Sequence, residues 1–134
     1  TRIAVPGCYA SGFNALVYPL VSGGILPADY PIVCYAMSGY SGAGNKGIAQ
    51  YEAADRDPEL DSPRQYALTQ QHKHLKEMGA ISRLARTPIF APHICDYPCG
   101  MTVSVPLFAD LLKKRMTPAT AAWSRYAPWV TAKV

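Results

Sequence analysis

The chain has 134 residues, a length suited to one domain, with 49% hydrophobic and 16% charged residues. That balance excludes a disordered chain. The net charge of +4 is mild, and Lys and Arg are scattered apart from Lys113, Lys114 and Arg115. No basic run with interleaved aromatics is present of the kind single-stranded nucleic acid needs.

The opening residues 1–5 read as a short strand or linker, followed by the turn signal Pro6-Gly7. Phe13, Leu16, Val17 and Leu20 then follow helical spacing from Cys8 onward. Pro19 is expected to kink or shorten this helix, and Gly23-Gly24 to end it. The near-continuous apolar run 31–37 predicts a buried strand, and Cys34 within it a buried free thiol. A Gly/Ser loop is expected over 38–47, a short helix over 48–54 and a surface loop over 55–64. A short strand is predicted at 66–68, and a helix over 71–84 with Leu75, Met78 and Ile81 as its stripe. Residues 88–92 and 101–108 read as strands; in the second, Val103, Val105 and Leu107 alternate with polar or Pro positions. Pro106 hints at an edge or bulge. Thr117-Pro118 is a helix-start signal for 118–126, with a last strand over 129–134. The mixed order suggests an α+β fold with helices packed on a sheet.

Four segments could carry chemistry. Cys8 falls at or just before a helix N-terminus, where the dipole and free amides favour negative charge, which suits a nucleophilic sulfur; a small buried residue is the plainer reading. Ser38-Gly39-Tyr40-Ser41-Gly42-Ala43-Gly44-Asn45-Lys46 follows a strand and could present amides to an anion or a cofactor. It lacks the G-x-G-x-x-G pattern and an acidic ribose partner. His72 and His74, at i and i+2, are expected on different faces of a helix, which disfavours a shared metal. Either could serve as an acid/base, with Glu77 close enough to orient or charge-stabilise His74. His93, Cys95, Asp96 and Cys99 look faintly like a zinc site, but no second knuckle completes the spacing, so no metal is expected. Four cysteines in a chain of this length do not suggest a disulfide framework. No signal peptide or membrane-spanning stretch is visible, which makes the cytoplasm the default compartment.

Taken together, these segments resemble the N-acetyl-γ-glutamyl-phosphate reductase family. Pro6-Gly7-Cys8-Tyr9-Ala10-Ser11-Gly12 is similar to its active-site signature. Ser38-Gly39-Tyr40-Ser41-Gly42-Ala43-Gly44 resembles its Ser-Gly-rich loop, and His72-Lys73-His74-Leu75-Lys76-Glu77-Met78 its His-x-His-x-Pro-Glu segment. Phe90-Ala91-Pro92-His93 and Gly100-Met101 resemble a later strand-loop-strand segment. Three positions depart from the pattern: Ser11 stands for Thr, Lys76 for Pro, and Cys99 where the family often has a long polar or basic residue.

The resemblance implies a mixed sheet with helices on one face, as in the C-terminal domain of glyceraldehyde-3-phosphate dehydrogenase. It implies Cys8 as nucleophile, His74 or His72 as acid/base with Glu77 beside it, and NADP contacted by Ser38, Gly39, Ser41, Gly42, Ala43 and Gly44. It further implies a homo-oligomer that reduces an acyl phosphate to a semialdehyde in arginine biosynthesis. The glycine fingerprint is absent and the chain opens Thr-Arg-Ile-Ala, so it is expected to be the catalytic and dimerisation domain without its N-terminal dinucleotide-binding domain, inactive alone. The rivals are an enzyme of the aspartate-semialdehyde dehydrogenase type, a non-catalytic dimerisation module, and a Cys hydrolase.

Overall fold

The computed structural model describes residues 2–113, so the expected helix over 118–126 and strand over 129–134 lie outside the described residues. The helical spacing after Pro6-Gly7 becomes α1 (Cys8–Ser22), which buries Tyr9, Phe13 and Val17 at i, i+4 and i+8. Pro19 does not shorten it. Pro19 lies in the last turn, where its missing N–H removes only one bond, and its carbonyl accepts the Gly23 N–H at 2.9 Å.

The apolar run gives β1 (Val33–Gly39), one of the two inner strands of the described sheet. It pairs in parallel with β3 (Ile89–Cys95) and antiparallel with β4 (Met101–Ser104). A two-residue β2 (Arg64–Gln65) adds antiparallel to β3, and the order is β2-β3-β1-β4. Parallel neighbours need a long crossover; here it holds α2 (Gly44–Tyr51), β2 and α3 (His74–Ile81).

Several expectations shift. The Gly/Ser segment 38–47 is not a loop: β1 runs to Gly39, a 3-10 turn covers Tyr40–Ala43, and α2 begins at Gly44. The strand expected at 66–68 lies earlier, because Ala67 turns the chain away at φ 54. Helix α3 is shorter than 71–84, with Ser82 as its C-cap and the left-handed Arg83 just beyond it. The last described strand stops at Ser104, two residues before Pro106, which has no N–H to offer a ladder.

Phe13, Val17, Cys34, Ala36, Met78 and Phe90 form the core, where α1 packs on α3 and β4. The opposite face of the sheet carries Val33, Tyr35 and Ile89, all exposed. Where β2 ends, a side chain continues its work. The Gln70 amide nitrogen donates to the Phe90 carbonyl and the Phe90 N–H donates to Gln70 Oε1, both at 2.8 Å. Gln70 holds φ 57 to do so.

Gln70→Ala removes both bonds and leaves the Phe90 peptide groups without their protein partner. We expect a loss of about 1–3 kcal/mol, read as a lower urea midpoint. An unchanged midpoint would show that water satisfies that edge equally well.

Candidate active site

Among the described residues the cysteines are all free, and they divide by exposure. Cys34 is buried, and burial pushes its thiol up to about 12. Cys95 is also buried, and desolvation raises it despite the neighbouring Tyr97. Cys8 and Cys99 are exposed, and only Cys8 opens a helix. It is therefore the described thiol best placed to meet a substrate.

Gly7, just before it, has φ −63 and ψ 149, a conformation any residue adopts. Glycine is required there for another reason. The His74 imidazole lies against its α-carbon, and a Cβ at Gly7 would fall on the Nε2 edge of the ring. The first turn of α3 is thereby brought to the first turn of α1, across the chain from residue 7 to residue 74.

The two histidines are together, contrary to the expectation of separate faces. Helix α3 starts only at His74, so His72 lies before it and its ring is free of helical spacing. The ring centroids are 4.6 Å apart, edge to face. His72 Nδ1 accepts the His74 backbone N–H at 3.2 Å, in the manner of a cap. Burial lowers the pKa of both; for His72 the neighbouring His74 and Lys73 add to the effect, and for His74 Lys73 does. The Glu77 charge opposes the shift at each. Both imidazoles are therefore neutral at neutral pH, the form able to accept a proton. His74 is 6% exposed and its Nδ1 has no hydrogen-bond partner in the described structure.

Glu77 does not take the His74 ring. Its Oε2 accepts the Gly7 N–H at 2.8 Å. The expected orientation of His74 instead comes from packing: Tyr9 lies 5.8 Å away, centroid to centroid, and His72 closer still.

Behind the histidines is a buried hydroxyl network that the sequence reading missed. Tyr9 and Ser38 share a hydrogen bond of 2.7 Å, and the Tyr66 hydroxyl lies near that of Tyr9. Burial raises the pKa of both tyrosines, keeping them protonated. Tyr66 and Phe90 each set an edge against His72. The i, i+4 stripe from Tyr9 to Phe13 to Val17 was the available signal for Tyr9.

Several amides of the Ser38–Gly44 segment are bonded within the chain. Ser38 is buried on Tyr9. The N–H groups of Gly39, Tyr40 and Ser41 donate to the carbonyls of Gly100, Tyr97 and Pro98 at 2.9–3.1 Å. The Gly44 N–H donates to Ser41. A Cβ on Gly39 would meet the backbone of Tyr97 and Cys99 at 2.6–2.8 Å, so that glycine permits the two segments to touch. Gly42, Ala43 and Gly44 form an exposed rim, with Ser41 half-buried beside it.

The residues with a faint zinc spacing are engaged elsewhere. Asp96 grips Arg56 with both oxygens at 2.8 Å, and the His93 ring tilts against Tyr35 at 4.7 Å. Among the described residues no three of His, Cys, Asp or Glu group as a metal site. No described helix is long and apolar enough to cross a membrane.

Residues 8–131 match the family described as semialdehyde dehydrogenase, dimerisation domain. The chain belongs to that family. It is similar to proteins named N-acetyl-gamma-glutamyl-phosphate reductase from Brucella ovis and Brucella melitensis biotype 2, each 46% identical over 112 residues, 83% of this chain. The same-named protein of Rhizobium rhizogenes is 44% identical over 116 residues, 86% of this chain. The chain spans only 36–37% of the length of these relatives. The resemblance seen in the motifs is thus carried by most of the chain, and the α+β mixed sheet is of the glyceraldehyde-3-phosphate-dehydrogenase-like C-terminal type.

Because the Gly7 backbone tolerates a side chain and its His74 contact does not, Gly7→Ala isolates that contact. We expect a stable fold with the His74 ring displaced. Turnover in the full-length protein should fall at least about a hundred-fold, as a misplacement of about 1 Å can cause. Turnover close to wild type would show that the ring yields without consequence.

Proposed function

We propose that this chain is the catalytic and dimerisation part of an N-acetyl-γ-glutamyl-phosphate reductase acting in cytoplasmic arginine biosynthesis. The observation that carries the proposal is an exposed Cys8 opening α1 directly after a residue packed on a buried His74. The names of the similar proteins supply the substrate class.

In this reading the Cys8 sulfur attacks the acyl carbon of N-acetyl-γ-glutamyl phosphate. The carbon–oxygen bond to phosphate breaks, phosphate leaves with its electron pair, and a thioester remains on Cys8. Covalent capture splits one difficult displacement into two easier steps. His74 is the acid/base: its neutral ring accepts the thiol proton and returns one later, a role worth about 10²–10⁴-fold. His72 supports it from behind.

NADPH is the hydride donor this reading requires. The Gly39, Tyr40 and Ser41 amides are already bonded within the chain, so contact with the cofactor would fall to the exposed part of the Ser38–Gly44 segment. Gly42, Ala43 and Gly44 offer at most an exposed rim for close approach, with Ser41 beside it and Ser38 and Gly39 holding it from beneath. The rest of the full-length protein would hold the cofactor.

The exposed sheet face is the surface we assign to a second copy. Val33 is 37%, Tyr35 42% and Ile89 58% exposed, side by side on neighbouring strands. A patch of this kind marks an association surface, and the family is a dimerisation domain.

The test uses the full-length protein, following NADP reduction with N-acetylglutamate semialdehyde and phosphate. Wild type should turn over, and Cys8→Ser should lose at least about a thousand-fold. Near-normal rates in Cys8→Ser would remove the nucleophile. Activity on aspartate semialdehyde alone would move the substrate to the sister enzyme.

A second measurement addresses assembly. Ile89→Arg should convert the dimer to monomer by light scattering, because burying an unpaired charge in an interface is costly. A dimer that persists would place the contact elsewhere.

A further inference from the structure

Helix α1 starts without the usual means of satisfying its first amides. Its N-cap, Gly7, has no side chain to lend, and its first turn contains no acidic residue. The Gly7 N–H is bonded nonetheless, to Glu77 Oε2 from α3. In a capping box, a Glu or Gln of the same helix reaches back to the N-cap amide. Here the same bond is supplied by a different helix.

His74 stands three residues before Glu77, hence on the same side of α3. Its ring lies on the Gly7 α-carbon while Glu77 holds the Gly7 N–H. One helix thus fixes both the amide and the α-carbon of the residue that precedes Cys8. The Ser11 hydroxyl and the Ser11 N–H both donate to the Gly7 carbonyl, completing the set of restrained groups.

We propose that Glu77 is a positioning residue for Cys8, acting through the Gly7 amide and not through the His74 ring. It sets the angle at which the chain enters α1, and so where the sulfur stands relative to His74. This rests on Cys8 being the nucleophile. The property that matters is the reach of a carboxyl oxygen to the amide; the charge is secondary.

Two conservative variants separate reach from charge. Glu77→Gln keeps the length and an acceptor oxygen but loses the charge. Glu77→Asp keeps the charge but withdraws the oxygen by one methylene. The experiment measures Gly7 amide exchange, with kcat and KM, in the full-length protein.

The expected result is exchange at least about tenfold faster in Glu77→Asp than in wild type, with Glu77→Gln within about threefold of wild type, as follows from loss or retention of one hydrogen bond. The kcat of Glu77→Gln should exceed that of Glu77→Asp by about tenfold or more, with KM alike in the two. The reverse order, with Asp near wild type and Gln impaired, would overturn the proposal and return Glu77 to charge control of His74. Equal, wild-type-like exchange in both would also overturn it. Should Glu77→Asp fail to fold, Glu77→Gln decides alone: slow exchange supports the proposal and fast exchange overturns it. A wild type that turns over no acyl phosphate would defeat the functional reading, while the exchange rates would still decide whether the clamp exists.

Discussion

Everything proposed for the site depends on the contact between α3 and Gly7. Cys8 is a surface residue at the free end of a helix, and free ends fray. The proposed role as nucleophile needs the opposite: a fixed place beside the acid/base. The chain resolves this by bringing α3 across to the start of α1, where His74 covers the Gly7 α-carbon and Glu77 binds its N–H. A side chain at Gly7 would displace the His74 ring from this contact.

That contact is itself held from two directions. On one side, Tyr9 follows Cys8 into the core and bonds Ser38 at the end of β1. The helix start is thereby tied to an inner strand of the sheet. On the other side, Gln70 fastens the segment leading to His72 onto Phe90 of β3, and the Phe90 ring then packs against both Tyr9 and His72 at 5.2 Å. Buried polar groups are costly unless partnered. Each of these is partnered across elements distant in sequence, so the bonds define geometry as well as satisfying burial.

The sequence made the regular elements legible wherever one physical signal dominated. The spacing of Phe13, Val17 and Leu20 announced α1, and the run around Cys34 announced β1. It failed where partners from elsewhere decided the outcome. The 38–47 segment reads as a loop because Gly and Ser favour loops. The 97–100 turn supplies the carbonyls that order its amides, and spacing cannot reveal that. Within the site, Cys8, His72, His74 and Glu77 were identifiable as residue types, but their relations were not. A helix starting at His74 and not at 71 was enough to bring the two rings together. Gly7 was legible as a turn residue, whereas its φ is ordinary and a distant ring is what demands it.

Strand β1 links the two halves of the proposed function. Side chains alternate along it, so Cys34, Ala36 and Ser38 face the core while Val33 and Tyr35 face outward. The period of two makes these choices inseparable. A slip of one residue would withdraw Ser38 from Tyr9 and turn Tyr35 inward, disturbing the helix that Cys8 opens and the outer face together. If a second copy covers the outer face, it holds the register of β1 and β3, and through Ser38 and Phe90 the positions of Tyr9 and His72. The proposed catalytic cysteine and the proposed association surface are then joined by one sheet: its inner face sets the site, and its outer face, once covered, keeps that sheet in register.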